Sequence, residues 1–125
     1  MKLTNILTKN KASEQEEQIT LIEYCDLRGI PIYHIANEGK RSTKAGAILK
    51  AMGMRKGFPD LCVPLARGKF HGLYIEMKVH PNKVTDEQRK WLRLLHNNGY
   101  ATCVCYGFEE AREKIDKYLC LEVIT

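Results

Sequence analysis

The sequence predicts an α/β (α+β) domain in three layers, a central mixed β-sheet flanked by helices, and three observations carry that expectation. Stretches with helical and strand-like periodicity alternate along the chain in the order αβ(α)ββαβα. Two neighbouring apolar runs, Asp60–Leu65 and Leu73–Val79, are joined by "ARGKFHG", whose turn residues make them a hairpin, whereas the last strand returns after a helix; a sheet built that way runs in both directions. With 125 residues the chain has enough length for one core and little more. Residues 1–12 read as a flexible polar lead and 13–125 as the single domain.

Each element has local chemistry behind it. Ser13 is a good N-cap, and Glu14, Glu16 and Glu17 follow it in the first turn, where carboxylates suit the positive end of the helix dipole. That helix runs to about Arg28 and stops at Gly29; its inward stripe of Leu21, Ile22 and Cys25, traced backwards, passes Gln18 and Glu17 and reaches Glu14. The stripe therefore begins in acid. "PIYHIA", from Pro31 to Ala36, reads as a strand, "NEGKRST" as a polar loop, and Lys44 to Met52 as a short helix ending at Gly53. Pro64 lacks the N–H a ladder needs, so the strand before it pairs loosely near its end. Thr85 caps a helix from Asp86 to about Asn97 with Trp91, Leu94 and Leu95 inward, and Gly99 closes it. Tyr100–Tyr106 is a further strand and Phe108–Leu119 an amphipathic helix.

Composition narrows the function classes. No apolar run approaches the roughly 20 residues a membrane-spanning helix needs. The N-terminus is too polar for a secretory signal, and the expected location is the cytoplasm. Net charge is +5, with basic residues at Lys40, Arg41, Lys44, Lys50, Arg55, Lys56, Arg67 and Lys69; this favours an anionic partner, although a solvated surface would look the same. Five cysteines without a C-x-x-C pair read as buried reduced thiols. His34, His71, His80 and His96 are scattered without metal-site spacing, only Ser13 and Ser42 could serve as nucleophilic serines, and no phosphate-binding Walker loop occurs, so no nucleotide cofactor is expected.

Three charges stand where burial is expected. Alternation in the Leu73–Val79 strand puts Ile75, Met77 and Val79 on one face and Tyr74, Glu76 and Lys78 on the other. Glu76 and Lys78 are then roughly 7 Å apart, and Asp60 lies beside them if the hairpin forms. Two converging carboxylates repel unless a cation lies between them, and hard oxygen donors suit Mg²⁺ or Mn²⁺. The Met77 carbonyl is a further candidate donor, and an ammonium beside a cation can stabilise charge growing on a phosphate. An isolated E-x-K reads as a surface ion pair. Glu38-Gly39-Lys40, in a polar loop with no apolar flanks, is such a case.

"PDL", with "EMK" fifteen residues beyond its aspartate, resembles the PD-(D/E)XK nuclease superfamily, and "KGFPDL…LYIEMKV…TDEQRKWLRLLHNNGY" is similar to the VRR-NUC family in its stand-alone phage or bacterial form. The resemblance extends from about Glu14 to Leu119. It implies a restriction-endonuclease-like core and a Mg²⁺- or Mn²⁺-dependent DNA endonuclease, selective for branched DNA such as Holliday junctions and working as a homodimer. Asp60 and Glu76 would be metal ligands with the Met77 carbonyl, Lys78 the catalytic lysine, and Gln88 a positioning group. A first-helix glutamate, Glu14 in preference to Glu17, would complete the metal set. Lys56, Arg67 and Lys69 would flank the site and contact phosphates. Without the resemblance, Gln88 reads as an exposed helix residue and Trp91 as core. The alternative function is a non-catalytic nucleic-acid-binding module on the same fold.

Overall fold

The structure, a computed structural model, describes residues 12–36 and 42–123. Its elements are α1 (Glu14–Arg28), β1 (Tyr33–His34), α2 (Thr43–Ala51), β2 (Leu61–Val63), β3 (Leu73–Lys78), α3 (Asp86–Asn97), β4 (Ala101–Tyr106) and α4 (Phe108–Leu119). The sheet order is β1-β2-β3-β4. β1, β2 and β3 pair antiparallel, and β4 joins β3 in parallel after the α3 crossover. The expected mixed sheet and element order are both present. The polar lead up to Lys11 and the Glu38-Gly39-Lys40 loop lie outside the described residues.

Pairing is tighter than periodicity suggests. β1 holds two residues, since Pro31 has no N–H to donate, although Ile35 still donates its N–H to the Asp60 carbonyl at 2.8 Å. β2 ends at Val63, immediately before Pro64. Tyr100 gives its N–H to the Leu95 carbonyl of α3 and so stays outside β4. Helix α2 starts one residue early at Thr43, because the Ser42 hydroxyl accepts from the Ala45 N–H.

The two faces of the sheet differ in chemistry. Leu61, Val63, Leu73, Ile75, Met77 and Cys105 point to one side and pack with Leu21 and Cys25 of α1 and Ala111, Ile115 and Tyr118 of α4. This is the apolar core. The opposite face carries Cys62, Tyr74, Glu76 and Lys78, and it meets Phe58 and α3 through edge-on aromatic contacts of Phe58 with Tyr74 and with Trp91. Leu95 is buried there, but Leu94, expected inward, is half exposed: neighbours on a helix diverge by about 100°, so both cannot face the sheet. Cys25, Cys62 and Cys105 are buried free thiols, Cys103 is partly covered, and Cys120 is exposed against expectation.

Candidate active site

The hairpin brings the acids together. The register Leu61↔Ile75, extended by one residue, sets Asp60 opposite Glu76 with both side chains on the α3 face. Asp60 Oδ2 accepts the Met77 N–H at 2.8 Å, which fixes the carboxylate at the point where the β2–β3 ladder stops. One step further the register puts Pro59 opposite Met77. In a continuing ladder the residue there would donate its N–H to the Met77 carbonyl; Pro59 has none to give. The "PD" pair thus does two things: the proline leaves a strand carbonyl without its ladder donor, and the aspartate takes the N–H of the same residue.

Glu76 is 2% exposed and Lys78 8%. Lys78 Nζ stands 3.7 Å from Glu76 Oε2, which also accepts a 3.0 Å hydrogen bond from Gln88 Nε2. Gln88 is buried, contrary to its plain reading as an exposed helix residue. It stands at the third position of α3 in a capping box: its Oε1 accepts the Thr85 N–H at 2.9 Å while its own N–H goes to the Thr85 hydroxyl. With the carbonyl end so engaged, the amide must turn its NH₂ toward Glu76. A glutamate would cap the helix equally well but would place a third carboxylate there.

Gly57 keeps α3 close. Its φ is +86°, and a Cβ built there would lie 2.7 Å from Glu87 Cβ and 2.8 Å from the Gln88 backbone nitrogen. Glycine is therefore required by both conformation and space. The first turn of α3, with Gln88, is pressed against the segment that leads into Asp60. Sequence reasoning took Pro59 only as part of the "PDL" motif and did not single out Gly57; the glycine-aromatic-proline run before an acid was the available signal.

Electrostatics reflect the crowding. Burial first, then the facing Asp60, pushes the Glu76 carboxyl up to about 9; the Lys78 ammonium opposes the shift and Glu14 adds to it. Asp60 is also raised by burial, although the Met77 N–H pulls the other way. Glu76 Oε1 is buried with no other donor reaching it, and the Asp60 side chain, close enough to share a proton with the Glu76 carboxyl, is among the causes of its raised pKa. An orphaned carboxylate oxygen, a second carboxylate opposite it and a carbonyl lacking its donor form a set of hard oxygens that a divalent cation could satisfy. Among the described residues, no three His, Cys, Asp or Glu side chains are gathered into a metal-holding group. Two carboxylates are in place, and Glu14 is near enough to raise the Glu76 pKa without completing a third.

The two first-helix glutamates separate cleanly. Glu17 Oε1 accepts the Phe108 N–H at 3.0 Å and lies over Gly107, so it caps α4, whose own N-cap residue has no side chain. The basic residues separate as well. Lys56 is exposed near Trp91 and Lys90 on the α3 side. Arg67 and Lys69 do not flank the carboxylates. They lie in the β2–β3 turn, where Gly68 pairs with Glu122 and Lys69 lies over Phe70; the turn begins beyond Leu73, which is itself three strand residues, or about 10 Å, from Glu76. A hairpin puts its turn and its open end at opposite ends of its strands, and the acids are at the open end.

Paired acids and a lysine on adjoining strands of a mixed sheet, with a glutamine from the next helix, define a nuclease-type domain of the PD-(D/E)XK kind. The VRR-NUC domain family matches residues 11–109, and the chain belongs to that family. It is similar to a solved VRR-NUC domain protein at 28% identity and a TM-score of 0.77, over 92% of this chain and 94% of that one. No functionally curated protein matches it. Among the described residues no helix is long and apolar enough to cross a membrane.

Proposed function

We propose that the protein is a Mg²⁺- or Mn²⁺-dependent DNA endonuclease. The observation that carries this reading is the part-buried Asp60 set opposite the buried Glu76, with Lys78 Nζ 3.7 Å from the Glu76 carboxylate. Evolution toward stability alone would replace such a cluster by apolar side chains, because burying unpaired charge is costly.

Asp60, Glu76 and the Met77 carbonyl would hold the cation, with Glu14 closing the shell. When bound, such a cation supplies Lewis acidity to a phosphodiester oxygen. The chain's own groups do the rest. Lys78 donates hydrogen bonds to the attacking water and to the phosphate, where negative charge grows as the nucleophile arrives in line with the leaving oxygen. Gln88 holds the Glu76 carboxylate in one orientation, and the Lys78 carbonyl, accepting from the Gly107 N–H at 3.1 Å, anchors the lysine's backbone to the residue between β4 and α4. Lys56 and neighbouring basic residues give backbone contacts that do not depend on sequence.

Selectivity for branched DNA and a homodimeric assembly extend the same reading. Two copies about a two-fold axis would offer two sites to a four-way junction. The deciding experiment measures cleavage of linear, flapped and four-way DNA with Mg²⁺, Mn²⁺ or EDTA, for the native protein and Lys78→Ala. Cutting that requires the divalent ion and is slowed about 10²–10³-fold without the lysine supports the reading, and cutting undiminished by either loss overturns it. Equal rates on linear and four-way DNA remove the junction preference.

A further inference from the structure

We propose that the cavity between α2 and α3 receives an unpaired nucleobase of the strand being cut; this rests on the nuclease reading and names the feature of the substrate it selects. The cavity is open to solvent and offers about 470 Å³, within the roughly 300–1,000 Å³ usual for small-ligand sites. Its walls include Ile35, Leu49, Met54, Phe58 and Trp91, with Arg55 as the one charged side chain among the described residues.

Three of those walls are tied to the acids and their support. Ile35 donates its N–H to the Asp60 carbonyl from the neighbouring strand. Phe58 precedes Asp60 by two residues. Trp91 stands one helical turn after Gln88, the side chain that holds Glu76. The cavity therefore opens on the same side of the sheet as Glu76 and Lys78, and a nucleotide whose phosphate reached them would carry its neighbouring base past this opening.

The chemistry inside suits a base. Phe58 and Trp91, with ring centres 5.1 Å apart, offer aromatic surface to a flat π-system, and stacking of this kind tolerates any base. Arg55 can stack or pair with a phosphate, and among the described residues no acidic side chain lines the cavity to repel the backbone. A base inside a duplex must first be unstacked and unpaired, which costs least where it is already mismatched or unpaired. The cavity thus favours cutting beside an unpaired nucleotide, as at flaps and branch points.

Trp91 is the single tryptophan of the chain, so its fluorescence reports on the cavity directly. The native protein in EDTA is titrated with a short single-stranded DNA and with an abasic strand of equal length. The base-bearing strand should quench Trp91 and bind about tenfold more tightly, whereas the abasic strand should bind weakly without quenching. Leu49→Phe and Met54→Phe, each filling the cavity without touching the acids, should bring the two strands within about twofold of each other, with folding checked by circular dichroism. Equal binding and equal emission for the two strands overturn the proposal. So does a tenfold difference that persists in either folded variant, or a Trp91 signal set by protein concentration alone, which would assign the cavity to a second copy. Cleavage is not read in this assay, so an active nuclease with an indifferent cavity separates failure of this inference from failure of the function above.

Discussion

Replacing Glu76 by glutamine should stabilise the metal-free protein above neutral pH while abolishing its response to divalent ions. Glu76 has a folded-state pKa of about 9 against an ordinary value of 4.5. Between those values the folded chain binds a proton that the unfolded chain has released, so this group's contribution to stability falls as pH rises through the window. One proton limits the slope to about 1.4 kcal/mol per pH unit, or up to about 3 kcal/mol between about pH 6 and pH 8. For a domain of this size each kcal/mol moves Tm by about 4 °C, so the loss approaches about 10 °C. A glutamine amide mimics the protonated acid: its carbonyl can accept from Gln88 and its NH₂ can face Asp60, with no proton to lose. The assay is a thermal melt of both proteins in EDTA across that range, repeated with excess Mn²⁺. The gap between variant and native protein should widen with pH in EDTA, and Mn²⁺ should raise the Tm of the native protein only, because a ligand stabilises the state that binds it. Parallel pH profiles in EDTA, or equal Mn²⁺ shifts, would refute the account of a cation-deficient carboxylate pair.

Other expected outcomes follow from single contacts. Gly57→Ala should lose more than about 1 kcal/mol in urea denaturation, from positive φ and from collision with Glu87 and Gln88; an unchanged midpoint would mean that α3 is not pressed against this segment. Glu17→Ala should cost about 1 kcal/mol as a lost helix cap while Mn²⁺ affinity by calorimetry stays intact. Glu14→Ala should instead weaken Mn²⁺ binding, and equal Mn²⁺ affinity for the two variants would remove the distinction between them. Lys78→Met should fold and still bind Mn²⁺ but cut DNA about 10²–10³-fold more slowly, and undiminished single-turnover cleavage would exclude the lysine from the chemistry. Gln88→Glu keeps the capping box and adds a carboxylate against Glu76. It should move the onset of Mn²⁺ binding to higher pH, and an unmoved onset would show that the Gln88 amide does not govern Glu76.

Much of this protein was legible in its sequence because the governing rules are local. Ser13 and Thr85 announced the helix starts, Gly29 ended α1, and alternation through Leu73–Lys78 already sorted Ile75 and Met77 from Glu76 and Lys78. Partner choice across space was not local. Glu14 and Glu17 share one helical stripe, and only the approach of α4 engaged Glu17 as the cap of Phe108. Arg67 and Lys69 are near the acids in sequence, yet the hairpin turn carries them to the far end of the strands. Gln88 became buried and directional because Gly57 let α3 close onto the sheet. Backbone periodicity fixes which way a side chain points within its own element; what it then meets depends on register and packing between elements, which the folded chain alone sets.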